Sequence, residues 1–146
     1  MIPFSRRELL NAWSNAYHVS KSSPRSNAHR LLLFYAIECG LKAAWLKRNH
    51  KDILDEPIVD SPAGRSVLHD LNKLLDLLHV GRTKRVPTLK LPALHRKNGT
   101  PLVRHCAAGE LNQVWRYGAQ LELPNADSTV ESALEEINIW LTTELK

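Results

Sequence analysis

At 146 residues, with 43% hydrophobic and 24% charged side chains, the chain has the length and composition of one ordinary globular domain, so neither a disordered chain nor a fibrous repeat is expected. Its formal net charge of +5 is modest. No apolar run is long enough to span a bilayer, and the opening stretch MIPFSRRELL lacks the apolar centre of a signal peptide, so a cytoplasmic protein with no membrane contact is expected. Cys39 and Cys106 show neither metal-type spacing nor a disulfide framework.

The first helix opens on Ser5-Arg-Arg-Glu8, the pattern of a capping box, with Phe4 and Leu9 at the two positions of a hydrophobic staple. Leu9, Trp13, Ala16 and Tyr17 continue at helical spacing until Lys21-Ser-Ser-Pro-Arg25 ends the element. A second helix is predicted from about Asn27 to about Asn49. Its middle, Leu31 to Ile37, is apolar all round, which marks a helix packed on several sides. Gly40 lies inside it and weakens a helix by roughly 1 kcal/mol relative to alanine, so a close helix crossing is expected there. A third helix is expected over about Ser66–Leu78, striped by Leu68, Leu71, Leu75 and Leu78 and stopped by Gly81.

Pro87, Pro92 and Gly99 then break the chain, so 81–101 reads as an extended loop or insertion. Thr100-Pro101 has the form of an N-cap and first helical position, so a fourth helix is expected to begin near there or slightly later and to run through Leu111, Val114 and Trp115 to about Ala119. The last helix carries a second capping-box pattern, Ser128-Thr-Val-Glu131, and one apolar face of Val130, Leu134, Ile137, Leu141 and Leu145. Trp13, Trp45, Trp115 and Trp140 fall one to each of four helices and are expected to pack in the core. The expected fold is all-α. It is an antiparallel bundle of about five helices forming a single domain over 1–146, with a basic insertion at about 81–101 between the third and fourth helices.

Charge is unevenly laid out. Between Asp76 and Glu110 there is no acidic residue, yet Arg82, Lys84, Arg85, Lys90, Arg96, Lys97 and Arg104 lie there, with His79, His95 and His105 among them. From Glu110 onward the sign reverses: Glu110, Glu122, Asp127, Glu131, Glu135, Glu136 and Glu144 face only Arg116 and Lys146. A basic run of this kind can line up against phosphates and release their counterions. It holds no aromatic residue, so base stacking from within the run is not expected.

Motifs for chemistry are sparse. No pair of histidines sits at i,i+4 with a supporting carboxylate, Cys-x-x-Cys is absent, and no glycine-rich phosphate loop is present; neither a metal nor a cofactor is expected. No serine has the strand–turn–helix setting of a nucleophile elbow. His69-Asp70 could form an acid–base pair, although a capping or hydrogen-bonding role within the bundle weighs more. No residue is therefore assigned as catalytic.

The stretch Arg30-Leu-Leu-Leu-Phe-Tyr-Ala-Ile-Glu-Cys-Gly-Leu-Lys-Ala-Ala-Trp-Leu, followed by Leu-His-Asp-Leu-Asn-Lys-Leu-Leu, resembles the HEPN superfamily, whose members pair "Ala-x-Glu-x-x-Leu-Lys-Ala" with a later "His-Asp-Leu-x-x-Leu". Leu111 to Gly118 is similar to the helix that follows in several members, so the resemblance spans roughly 27–120. It implies an antiparallel helical bundle that often dimerises and, in many members, a metal-independent ribonuclease of toxin–antitoxin or phage-defence systems built on Arg-x(4–6)-His. That motif is missing: Arg25 to His29 and Arg65 to His69 are one residue too short, Arg104 and His105 are adjacent, and Arg116 has no histidine downstream.

The leading expectation is thus a non-catalytic nucleic-acid-binding or assembly subunit, a homodimer or part of a larger assembly, which the resemblance places in a prokaryotic defence or toxin–antitoxin system. It would bind RNA or DNA backbones through Arg82, Lys84, Arg85, Lys90, Arg96, Lys97 and Arg104. Two alternatives stand beside it: a metal-independent ribonuclease using His69 with Arg65 or Arg116, and a protein–protein interaction module in which the basic loop meets the acidic last helix of another chain.

Overall fold

Polar caps start the two long N-terminal helices. The computed structural model describes residues 1–60 and 64–146. Ser5 caps α1 (Arg6–Ser20): its hydroxyl accepts from the Glu8 amide at 3.2 Å, and its own amide donates to the Glu8 carboxylate at 2.8 Å. Those bonds from Ser5, the backbone one first, hold the Glu8 carboxyl below its ordinary range. α2 (Asn27–Arg48) starts on a box that the usual Ser-x-x-Glu pattern does not reveal. The Ser26 hydroxyl accepts from the His29 amide, and the Ser26 amide donates to Nδ1 of His29, both at 3.3 Å.

α2 is the hub of the molecule, in contact with α1, α3 (Leu71–Leu77), α4 (Leu111–Arg116) and α5 (Ala126–Glu144). Leu33, Phe34, Ile37, Leu41, Ala44 and Leu46 are wholly buried, the outcome of a helix apolar on all sides. Each fully buried Leu, Ile or Phe stabilises the fold by about 1.5–3 kcal/mol. A Cβ on Gly40 would stand 2.7 Å from Cδ1 of Leu141 on α5 and 3.2 Å from the Trp13 ring on α1, so glycine is what lets three helices cross there.

Polar partners pin the same seam. Trp13 Nε1 donates to Asn138 at 2.8 Å, and Trp115 Nε1 donates to Asp127 at 2.9 Å. Arg25 reaches Glu135 at 2.5 Å and Glu131 at 3.4 Å; Arg30 reaches Glu131 at 3.3 Å. The Tyr17 hydroxyl donates to Glu135 at 2.6 Å, and burial, followed by that bond, pushes its pKa up to about 12.

The protein is mixed α/β, not the all-α bundle expected from its sequence. Three two-stranded antiparallel sheets accompany the helices among the described residues: β1 (Phe4–Ser5) with β2 (Ile53–Leu54), β3 (Val59–Asp60) with β4 (Arg65–Ser66), and β5 (Leu89–His95) with β6 (Pro101–Cys106). The third helix is shorter than expected because Arg65 and Ser66 pair with β3 and Leu68 takes a left-handed backbone, φ 46°, that no α-helix accepts. Pro101, expected to open a helix, instead opens β6. As the first residue of an outer strand it needs no amide there. α4 consequently begins ten residues later, after a 3-10 turn at Ala108–Glu110. The last helix begins at Ala126 without a side-chain cap, so Ser128–Glu131 lies within it, and the Glu131 carboxylate goes to Arg25 and Arg30 instead.

Candidate nucleic-acid interface

The expected basic loop is an ordered β-hairpin. Leu89 pairs with Cys106, Lys90 with His105, Leu91 with Arg104, Leu94 with Leu102 and His95 with Pro101, with a bulge between Leu91 and Leu94 that accommodates Pro92. Asn98 and Gly99 make the turn: Gly99 has φ 85°, and the Arg96 amide donates to the Thr100 carbonyl at 2.9 Å. At its base, Leu89 and Leu91 pack on the core beside the buried Cys106, and the Glu122 amide donates to the Lys90 carbonyl at 2.9 Å. Beyond the base every residue from 92 to 103 is exposed, so the hairpin projects as an arm with solvent on both faces.

The seven cations of the basic run divide between two elements. Arg82, Lys84 and Arg85 lie in the turn after α3, where Arg85 donates to Asp76 at 2.7 Å. Lys90 and Arg104 sit on the body of the arm, and Arg96 and Lys97 at its tip. Arg104 Nε donates to the Pro92 carbonyl at 2.9 Å across the bulge, a neutral partner that leaves its charge uncompensated. Among the described residues, Arg85 is the one cation of the seven with a carboxylate partner.

A cleft of about 390 Å³ runs along β6 against α4, lined by Val103, Arg104, His105 and Cys106 from the strand and by Glu110, Gln113 and Tyr117 from the helical side. Tyr117 and Val103 are 74% and 72% exposed, and the Arg116 guanidinium lies 5.5 Å from the Tyr117 ring centre. An aromatic side chain, which the basic run lacks, thus lines the same cleft, from a residue eleven positions past Cys106 that sequence spacing does not connect to the run. Burial first, then the nearby Glu110, pushes the Cys106 thiol up to about 11, so at neutral pH it is no nucleophile.

No family model matches the chain, and searches of curated proteins and of solved structures find no match.

His69 takes the hydrogen-bonding role within the fold that its sequence setting favours, and does not pair with the adjacent Asp70. Asp70 turns away to cap α3, accepting from the Lys73 amide at 3.1 Å. Nδ1 of His69 lies 2.9 Å from Oε1 of Glu38, a carboxylate only 6% exposed, and the same oxygen accepts from Lys42 Nζ at 2.8 Å. Bonding through Nδ1 leaves Nε2 for the cleft that His69 lines, about 290 Å³ in volume, together with Lys42, Ser66 and a wall of Leu54, Ile58 and Val67. Neither Arg65 nor Arg116 lines this cleft; Arg116 is instead beside Tyr117. Among the described residues no group of three or more His, Cys, Asp or Glu side chains could hold a metal ion, and no helix is long and apolar enough to cross a membrane.

Proposed function

We propose that the protein binds nucleic acid through the β5–β6 arm as a non-catalytic subunit. The observation that carries this reading is a projecting hairpin whose cations Lys90, Arg96, Lys97 and Arg104 have no carboxylate partners among the described residues. Cations that find no counterion within the chain attract polyanions, and each phosphate they neutralise releases condensed counterions. RNA and DNA backbones both offer that chemistry. A setting in prokaryotic defence or toxin–antitoxin systems, with assembly as a homodimer or into a larger complex, is supported only by the HEPN-like stretch over roughly 27–120.

The test is a gel assay of the protein with labelled single-stranded and duplex RNA and DNA, in EDTA, across a salt series. A mobility shift that fades steeply with salt while the strand stays intact is the expected result; no shift at low salt would overturn the reading. A second reading rests on one observation, the buried Glu38 carboxylate that fixes Nδ1 of His69 and leaves Nε2 for the cleft. It makes His69 an acid–base group, and predicts strand cleavage on the same gels that disappears in His69→Ala.

A further inference from the structure

We infer that the cleft between β6 and α4 takes an unpaired base of a single strand, stacked on Tyr117, while the arm tracks the backbone. This rests on the arm's binding nucleic acid and adds what kind of strand it selects. Three observations converge. The charges of the cleft are ordered across it: Arg104 stands on the strand side, and Glu110 on the helical side. A polyanionic backbone is drawn to the first side and repelled from the second, so what points toward Glu110 is the base and not the phosphate.

The helical side offers what a base edge requires. Glu110 uses Oε1 to accept from the Ala107 amide at 3.2 Å, and its other oxygen has no partner among the described residues; the Gln113 side chain makes no hydrogen bond there either. A carboxylate oxygen accepts and an amide both donates and accepts, a set suited to the edge of an unpaired base.

Tyr117 supplies the face. Its ring is 74% exposed, and the Arg116 guanidinium lies over it 5.5 Å from the ring centre, a cation placed where a stacked base brings its phosphate. A base within a duplex presents no free face to such a ring, so the cleft selects unpaired strands. In sequence, Arg104, Glu110 and Tyr117 belong to separate elements; the chain reversal through the 3-10 turn brings them to one cleft.

The experiment compares fluorescence-labelled oligocytidine with an abasic strand of equal length, by anisotropy at fixed low salt, for the wild-type chain, Tyr117→Ala and Tyr117→Trp. The wild type is expected to hold the base-bearing strand roughly 5- to 100-fold tighter than the abasic one. Tyr117→Ala should erase that preference while leaving abasic affinity unchanged, and Tyr117→Trp should restore it. Because Tyr117 is largely exposed, neither change threatens the fold. Equal, salt-sensitive affinity for both strands in the wild type would overturn the base site and leave backbone binding by the arm standing. Failure of both strands to bind would overturn the two together. A Tyr117→Ala variant that bound both strands like the wild type, but lost self-association in sedimentation, would overturn the base site by assigning the ring to a protein interface.

Discussion

The helical core and the hairpin arm treat charge in opposite ways. Where α5 meets α1 and α2, Glu131 and Glu135 are met by Arg25 and Arg30, and farther along Glu144 is met by Arg48 at 2.6 Å. Asp127 accepts from Trp115, which leaves Glu136 as the one acid of that helix without a partner among the described residues. On the arm, Lys90, Arg96 and Lys97 have no such partner. The difference teaches where the chain needs something from outside. The acidic last helix is occupied within its own fold, which weakens the idea that it receives the basic segment of a second copy. The cations of the arm, by contrast, have no carboxylate partner among the described residues.

If the core is the rigid half of this comparison, damage to it should be the costliest. Ile137→Ala removes a wholly buried side chain from α5 and should lower the free energy of unfolding by about 2–5 kcal/mol in urea titration. A loss under about 1 kcal/mol would mean that α5 is not packed as described. Next comes the ion-pair network. Glu131→Gln leaves Arg25 and Arg30, both mostly buried, short of a carboxylate, and should cost about 1.5–3 kcal/mol in the same titration. An unchanged midpoint would place those charges in solvent and erase the contrast with the arm.

A subtler probe of the seam is alkaline pH. The folded chain holds the Tyr17 hydroxyl protonated up to about 12, whereas in the unfolded chain it ionises near its ordinary value of about 10. The unfolded state therefore binds fewer protons between those values. Its stabilising contribution is fully present below pH 10 and is lost as pH rises toward 12. Thermal melts over that window should fall more steeply for the wild type than for Tyr17→Phe; parallel curves would contradict the half-buried hydroxyl bonded to Glu135.

The two halves also differ in how far the sequence announces them. α1 and α2 were legible from the Ser5–Glu8 box and from the apolar middle of α2, and Gly40 marked the crossing that the structure forms. The arm was not. Pro92 and Pro101 read as breakers, but one sits at a bulge and the other opens an outer strand, the two strand settings in which a missing amide is tolerated. The alternation Leu89-Lys90-Leu91 and the Asn98-Gly99 turn carried the hairpin signal, and the prolines masked it. The basic character of the site was legible residue by residue. The presence of Tyr117 on the same cleft as Arg104 was not, because the two belong to separate elements that only the tertiary fold brings together. Glu38 as the partner of His69 was likewise hidden by a separation of 31 residues.

The most direct test of the contrast is the double reversal Arg96→Glu with Lys97→Glu, read in two ways on one preparation. Both residues are exposed at the arm's tip, so unfolding free energy should stay within about 0.5 kcal/mol of wild type. The slope of log affinity against log salt for single-stranded RNA should meanwhile shrink by about 0.7 for each phosphate that the arm no longer neutralises. A slope and affinity equal to wild type would contradict the account, because the arm's cations would then be solvated decoration and not a binding surface.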